Sequence, residues 1–252
     1  FGVIGNHLSH FIQDIDISNT VDGKPIYYWV DQSDKEIPAD AGYVAVINST
    51  NIAVRDLNLT NDLHGMLFAF TAESIIENVK VIGNAYGIYL YGCSNNTLAE
   101  NVKDINNTYG IYLYSSSNNT IENLEVIDNI YGIYLYGSSN NTIGYNTVTS
   151  KGKRGVQLIN SSNNTISNNT FTNNYIGIGL WLSAENNTIN GNVVLKGTAE
   201  GVGLYLDDSG NNVISCNVIV NNNQGILLYQ SSTNALRNNN MTNNKYNFGL
   251  IL

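Results

Sequence analysis

The chain has 252 residues, 42% apolar and only 12% charged, with 11 Lys and Arg against 20 Asp and Glu, so 44 asparagines and many serines and threonines must keep its surface wet. Length allows one large domain or two small ones. The net charge of −9 argues against a nucleic-acid partner, whose binding rests on clustered cations releasing phosphate counterions, and no apolar run reaches the roughly eighteen residues of a membrane span.

In chain order, Phe1-Gly2-Val3-Ile4 resembles Phe248-Gly249-Leu250-Ile251. The sequence thus starts and stops at the same point of a repeat, with no polar cap at either end. This predicts one unit of a longer array, or a subunit that stacks end to end on its own copies. Residues 6–47 hold both prolines, Pro25 and Pro38, and break the period that follows. They read as an irregular insertion in a single domain spanning 1–252, with a strand at Tyr27, Tyr28, Trp29 and Val30. Asp31, Asp34, Glu36 and Asp40 read as a solvated acidic loop. Calcium (Ca2+) is the one cation left open for the chain; no metal site and no other cofactor is expected.

Residues 48–252 are regular. A glycine followed by alternating aliphatics recurs at Gly65, Gly87, Gly110, Gly132, Gly155, Gly177, Gly201, Gly225 and Gly249, spaced 22 to 24 residues apart. Such a period is the mark of a solenoid, and nine coils are expected. After each glycine one series is aliphatic, as in Ile88 and Leu90, Ile111 and Leu113, Ile133 and Leu135, or Val202 and Leu204. That is the inward face of a strand. A second strand is expected at Ile52, Ile76, Ile121, Ile143, Ile166, Ile189, Ile214 and Leu236. Asparagines keep register as well: Asn119, Asn141, Asn164, Asn187, Asn212 and Asn234 before the second strand, and Asn146, Asn169, Asn192, Asn217 and Asn239 after it. Stacked at successive corners, their amides can bond one another, and asparagine tolerates the left-handed conformations that tight corners need. The expected fold is all-β, a right-handed single-stranded parallel β-helix (a pectate-lyase-like solenoid). A leucine-rich repeat shares the period, but each coil carries a second alternating strand where that fold places a helix.

Eleven N-x-S/T sequons, at Asn48, Asn58, Asn95, Asn106, Asn118, Asn140, Asn160, Asn163, Asn168, Asn186 and Asn240, are glycosylation candidates in an extracellular setting, although an Asn-Asn-Thr repeat also creates sequons for structural reasons. Cys93 and Cys216 sit about six coils apart, which at ~4.8 Å per coil exceeds the ~7 Å reach of a disulfide, so two free thiols are expected.

The repeated G-I-x-L and S-x-N-N-T-I-x-x-N patterns, as in YGIYLYGCSNNT from Tyr86, resemble the parallel β-helix repeat of NosD-type and carbohydrate-binding/sugar-hydrolase (CASH) domains of archaeal, methanogen-like cell-surface proteins. GKPIYYWV and PADAGYVAVIN are similar to a segment that interrupts the coils in that family. The resemblance implies fold and an extracellular, cell-surface location. It carries no catalytic motif onto this chain. It also associates the family with copper, which so few methionines and cysteines would not support.

The outward positions of the glycine-led strand hold Tyr89, Tyr91, Tyr112, Tyr114, Tyr134, Tyr136, Trp181, Tyr205 and Tyr229. They would form two columns with rings ~5 Å apart, beside a shallow floor at Gly179 and Gly203. Contiguous exposed aromatics mark contact surfaces. The expected function is a non-catalytic structural or contact module of a surface layer, sheath, filament or adhesin, self-associating through its ends or this face. The alternative is a carbohydrate-binding domain whose columns stack sugar rings. A polysaccharide lyase or hydrolase ranks third: Asp207 and Asp208 are the only adjacent carboxylates, and the basic cluster Lys151, Lys153 and Arg154, with Asp128 one coil below, reads as a solvated loop.

Overall fold

The computed structural model describes residues 1–195, 197 and 199–252. The alternation seen in the sequence builds a parallel ladder. Tyr86–Tyr91 lies between His64–Ala69 and Tyr109–Tyr114, with Ile88 aligned on Met66 and Ile111, and Leu90 on Phe68 and Leu113. These inward side chains have no solvent exposure, and each fully buried aliphatic contributes about 1.5–3 kcal/mol. Second strands such as Thr120–Glu122 and Thr142–Gly144 stack in the same way into a ten-stranded sheet. Together they form the parallel β-helix expected.

From Tyr43 onward each coil has three strand segments, however, where alternation suggested two. The third contributes one inward side chain per coil: Val81, Asp104, Val126, Val148, Phe171, Val194 or Ile219. These point at the repeated glycines. A Cβ on Gly132 would lie 2.6 Å from Val148 Cγ1, and one on Gly155 2.7 Å from Phe171 Cδ1. Glycine recurs because the next coil's carbonyl oxygen, 2.5 Å from a Cβ on Gly132 or Gly155, and the third strand's side chain together fill the space a Cβ would need.

That contact corrects the register of two coils. Leu204 and Leu206, rather than Val202 and Leu204, align with Ile178 and Leu180. Gly203 therefore stands in the glycine ladder and Gly201 does not; a Cβ on Gly203 would meet Ile219 Cγ2 at 2.3 Å. Likewise Phe248 aligns with Ile226, which puts Asn247, not Gly249, after Gly225.

The asparagine ladders form as expected. The backbone N–H of Asn141 donates to Asn164 Oδ1 (2.8 Å), its side-chain Nδ2 donates to the same oxygen (3.1 Å), and Nδ2 also donates to Ser116 O. Asn146, Asn169, Asn192, Asn217 and Asn239 repeat this at the next corner. All but the last of each series are buried, so their polar groups are matched inside the protein, where leaving them unpaired would cost about 1–3 kcal/mol apiece. The residue before each first-ladder amide, such as Asn118, Asn140 and Asn163, takes a left-handed φ of 56 to 60°.

Residues 6–47 are not wholly an insertion. Lys24–Val30 and Tyr43–Ile47 are parallel rungs of the glycine-led sheet, and Ser33–Glu36 pairs with Thr50–Arg55. The period was hidden because the coil between them is short, with Asn48 bonding Asp31 only 17 residues back. Phe1–Ile4 does not enter a rung. Residues 1–15, with a short helix Leu8–Phe11, run as a strap across the outer face of the first rungs, and Phe11 is fully buried there.

Candidate functional site

Outward side chains of the glycine-led sheet form three columns where two were expected. Tyr86, Tyr109 and Tyr131 make the first, with centroids 5.2 and 4.9 Å apart. In the second, Tyr89 stacks on Tyr112 at 5.1 Å, while Tyr134 turns edge-on. In the third, Tyr91, Tyr114 and Tyr136 lie nearly parallel at 5.0 and 5.3 Å. The nine rings are not equally available. Tyr89 and Tyr91, expected at the surface, are buried, Tyr91 under the strap and Tyr89 among His64, Tyr86 and Tyr112; Tyr112, Tyr114 and Tyr134 are half-buried, and Tyr136 is exposed. Burial pushes Tyr134 up to about 12 and raises Tyr112 further, so these hydroxyls stay protonated at neutral pH.

Beyond Tyr131 the columns change chemistry. The first continues with Arg154, Ile176, Val202 and Gln224; the second with Gln157, Gly179, Tyr205 and Leu227; the third with Ile159, Trp181, Asp207 and Tyr229. The basic cluster expected in a solvated loop lies instead on the strand Thr147–Ile159. Arg154 sits 4.3 Å from the Trp181 ring and donates to Gln157 Oε1, and Lys153 stands 5.5 Å from the Tyr131 ring. Among the described residues Arg154 has no carboxylate partner. The floor expected at Gly179 is filled by the indole: a Cβ there would fall 2.0 Å from Trp181 Cη2. Gly203 faces inward and belongs to no floor.

Arg154, Trp181, Tyr205, Glu200, Gln224 and Lys245 line a cleft of about 740 Å³. Its walls arise where a third asparagine ladder breaks. Asn84, Asn107 and Asn129 bond from coil to coil, as do Asn222 and Asn244. Ser150 takes the asparagine's place beside Asn129, and Gly197 takes it before Asn222, donating its N–H to Asn222 Oδ1. After each of these two positions the chain carries extra residues: in the second coil they bring Ala199 and Glu200 to the cleft, while in the first Lys151 turns to Asn106, away from it, and Arg154 lines it. Burial raises the pKa of Tyr205, and the charge of Asp207, whose Oδ2 lies 3.3 Å from the Tyr205 hydroxyl, raises it further, against a small opposing pull from Arg154.

The other expected groups sit apart. All eleven sequon asparagines are exposed, nine of them in left-handed corners and Asn58 and Asn240 on third strands. Cys93 is buried with its thiol on Phe68 O, Cys216 is exposed, and both are free. In the acidic stretch Asp31 and Asp34 accept from Asn48 and Asn51, Glu36 pairs with Arg55, and Asp40 accepts from Tyr27. Among the described residues no three His, Cys, Asp or Glu come together as metal donors.

These features define a right-handed parallel β-helix with an aromatic and cationic outer sheet. Residues 110–252 match the family model of the right handed beta helix region, and residues 13–180 that of the periplasmic copper-binding protein NosD. The chain belongs to the NosD-type right-handed β-helix family. The copper in that description finds no donor set here: Met66 and Cys93 are locked in the core, His64 is buried, and His7 and His10 lie together on the strap without a third donor among the described residues. No curated protein matches the chain. Among solved structures it is similar to the periplasmic alginate epimerase AlgG (16% identity, TM-score 0.69, 76% of this chain and 50% of that one). It is also similar to DFA-IIIase from Arthrobacter chlorophenolicus A6 (16%, TM-score 0.62, 75% and 54%) and to the same enzyme without its lid (16%, TM-score 0.64, 76% and 54%). The chain spans about half the length of these proteins, and likeness at such identity shows the fold alone. Both neighbours are enzymes, so this architecture can carry catalysis, and the expectation of a non-catalytic chain does not stand.

Proposed function

We propose that the chain binds and processes an anionic polysaccharide, outside the cytoplasm, along the outer face of the glycine-led sheet from Tyr112 to Tyr229. The observation that carries this reading is Arg154, planted on Trp181 and opening into the cleft with Lys245 and Tyr205. In a chain of net charge −9, Arg154 and Lys245 against the single carboxylate of Glu200 leave the lining of this cleft net positive, which favours a negatively charged ligand. A guanidinium fork bonds a sugar carboxylate bidentately, and the neighbouring rings offer apolar faces for stacking. Glu200, Tyr205 and Asp207 supply groups able to accept or donate a proton at the bound sugar. The likeness to an alginate epimerase and the NosD family's periplasmic description agree with a polyuronate and with that location.

Titration calorimetry with polyuronates and with a neutral glucan tests the proposal, alongside NMR of the recovered polymer for cleavage or epimerisation. Arg154→Ala and Trp181→Ala are each expected to weaken polyuronate binding at least tenfold, and Arg154→Lys to recover part of it. Equal binding of the neutral glucan, or unaltered binding by both alanine variants, refutes the reading.

A further inference from the structure

The strap decides how a polymer can lie on this face. Residues 1–15 cross the outer surface of the rungs Lys24–Val30, Tyr43–Ile47, His64–Ala69 and Tyr86–Tyr91, outside the coils. Two sheet tyrosines tie the strap down: the Tyr28 hydroxyl donates to Phe11 O, and the Tyr91 hydroxyl donates to Asn6 O at 2.8 Å. The Phe11 ring sits 5.1 Å from Tyr91 and 6.1 Å from Phe70. Beneath it the outward positions are Ala45, Ile47, Leu67 and Ala69, all fully buried, a bed for the strap and not a surface for a sugar.

From the geometry we infer that the strap closes one end of the ligand track, so that the protein takes the terminus of an anionic glycan chain and not its middle. This rests on the glycan-binding reading above. The open track runs from the rung of Tyr112 and Tyr114 to that of Tyr229, five steps on, or roughly 24 Å at ~4.8 Å per step. A chain stacked along the column of Tyr114 and extended past it meets the backbone of Asn6 and the helix Leu8–Phe11, which occupy the space over Tyr91. The wall and the cation are on the same track: Arg154 stands two rungs beyond Tyr109, a short oligosaccharide's reach from the closed end.

Stoichiometry reads this directly. Sedimentation velocity of the full chain with size-fractionated polyuronates of increasing length should give one protein per polymer molecule at every length. A count of bound proteins that grows with polymer length overturns the closure while leaving the track intact. No binding at any length removes both. Phe11→Ala combined with Tyr28→Phe loosens the strap, and is expected to convert one-per-chain binding into binding that grows with length; a wild-type stoichiometry in this folded variant also overturns the closure.

Discussion

Asp104 occupies the third-strand core position that Val81 and Val126 fill in the adjacent coils. It is fully buried; Asn107 Nδ2 donates to its Oδ1 at 2.8 Å, and its Oδ2 has no hydrogen-bond partner among the described residues. Burial pushes its pKa from 3.8 up to about 8, against the pull of the Asn107 and Asn129 amides. The folded protein therefore keeps a proton that the unfolded chain has already released. The stability this confers is complete below pH 3.8 and is lost as pH rises through about 8. Each tenfold difference in proton affinity between the folded and unfolded chain is worth about 1.4 kcal/mol, so roughly 5 kcal/mol disappears across the window. Asp104→Asn keeps the shape and the acceptor and removes the charge. Urea unfolding of both proteins at several pH values should show a small difference near pH 4 that grows to roughly 5 kcal/mol in the variant's favour by pH 8. His64 works the other way, since burial lowers its pKa from 6.5 to about 4 and its penalty on folding fades as pH rises through that range. It is present in both proteins and cancels in the difference. Parallel pH profiles would refute the reasoning.

Three further outcomes are expected. Asn164→Ala strips the acceptor from the Asn141 amide and the donor from Ser138 O and should cost about 3 kcal/mol or more, whereas Asn163→Ala, exposed at φ 57°, should cost about 1 kcal/mol; paired urea midpoints check the contrast. A thiol reagent at pH 8 should titrate one cysteine in the native protein, exposed Cys216, and two in denaturant, because Cys93 is buried and its thiol is pushed up to about 12. Gly179→Ala should drive the indole of Trp181 off its seat, shifting tryptophan fluorescence and weakening polyuronate binding about as much as Trp181→Ala.

The fold was legible because its core residues repeat one by one: Ile88 and Leu90 recur coil after coil, and so do the amides from Asn119 to Asn234. The third strand was not, because a single inward residue flanked by exposed neighbours, as in Lys103-Asp104-Ile105, has no alternation to detect. Its amide ladder does leave a signal, an asparagine two residues before the glycine-led strand at Asn84, Asn107 and Asn129, but one without any alternation. The misplaced Gly201 has a physical cause as well: Gly201 and Gly203 both precede aliphatics, and only the side chain of Ile219 distinguishes them. Of the site, the aromatic residues could be read from the strand pattern. So could the column position of Arg154, which precedes Gly155 as Tyr131 precedes Gly132; its seat on Trp181 could not, since that is a side-chain contact between neighbouring rungs. Nor could the strap, which binds through scattered apolar side chains such as Leu8, Phe11 and Ile15 with no period at all.

The corners of the coil differ in what they allow to change. At the two corners held by the long amide ladders, each asparagine serves the backbone of the coil before it, so a lengthened corner would unsettle two coils at once. At the corner before the glycine-led strand the ladder is already interrupted, by Ser150 and by Gly197, and the rungs on either side keep their alignment. That corner behaves as a graft point: new segments can be spliced there, coil by coil, each delivered to the rim of the same sheet, while the scaffold beneath them stays fixed. Specificity in this architecture can diversify without renegotiating the fold.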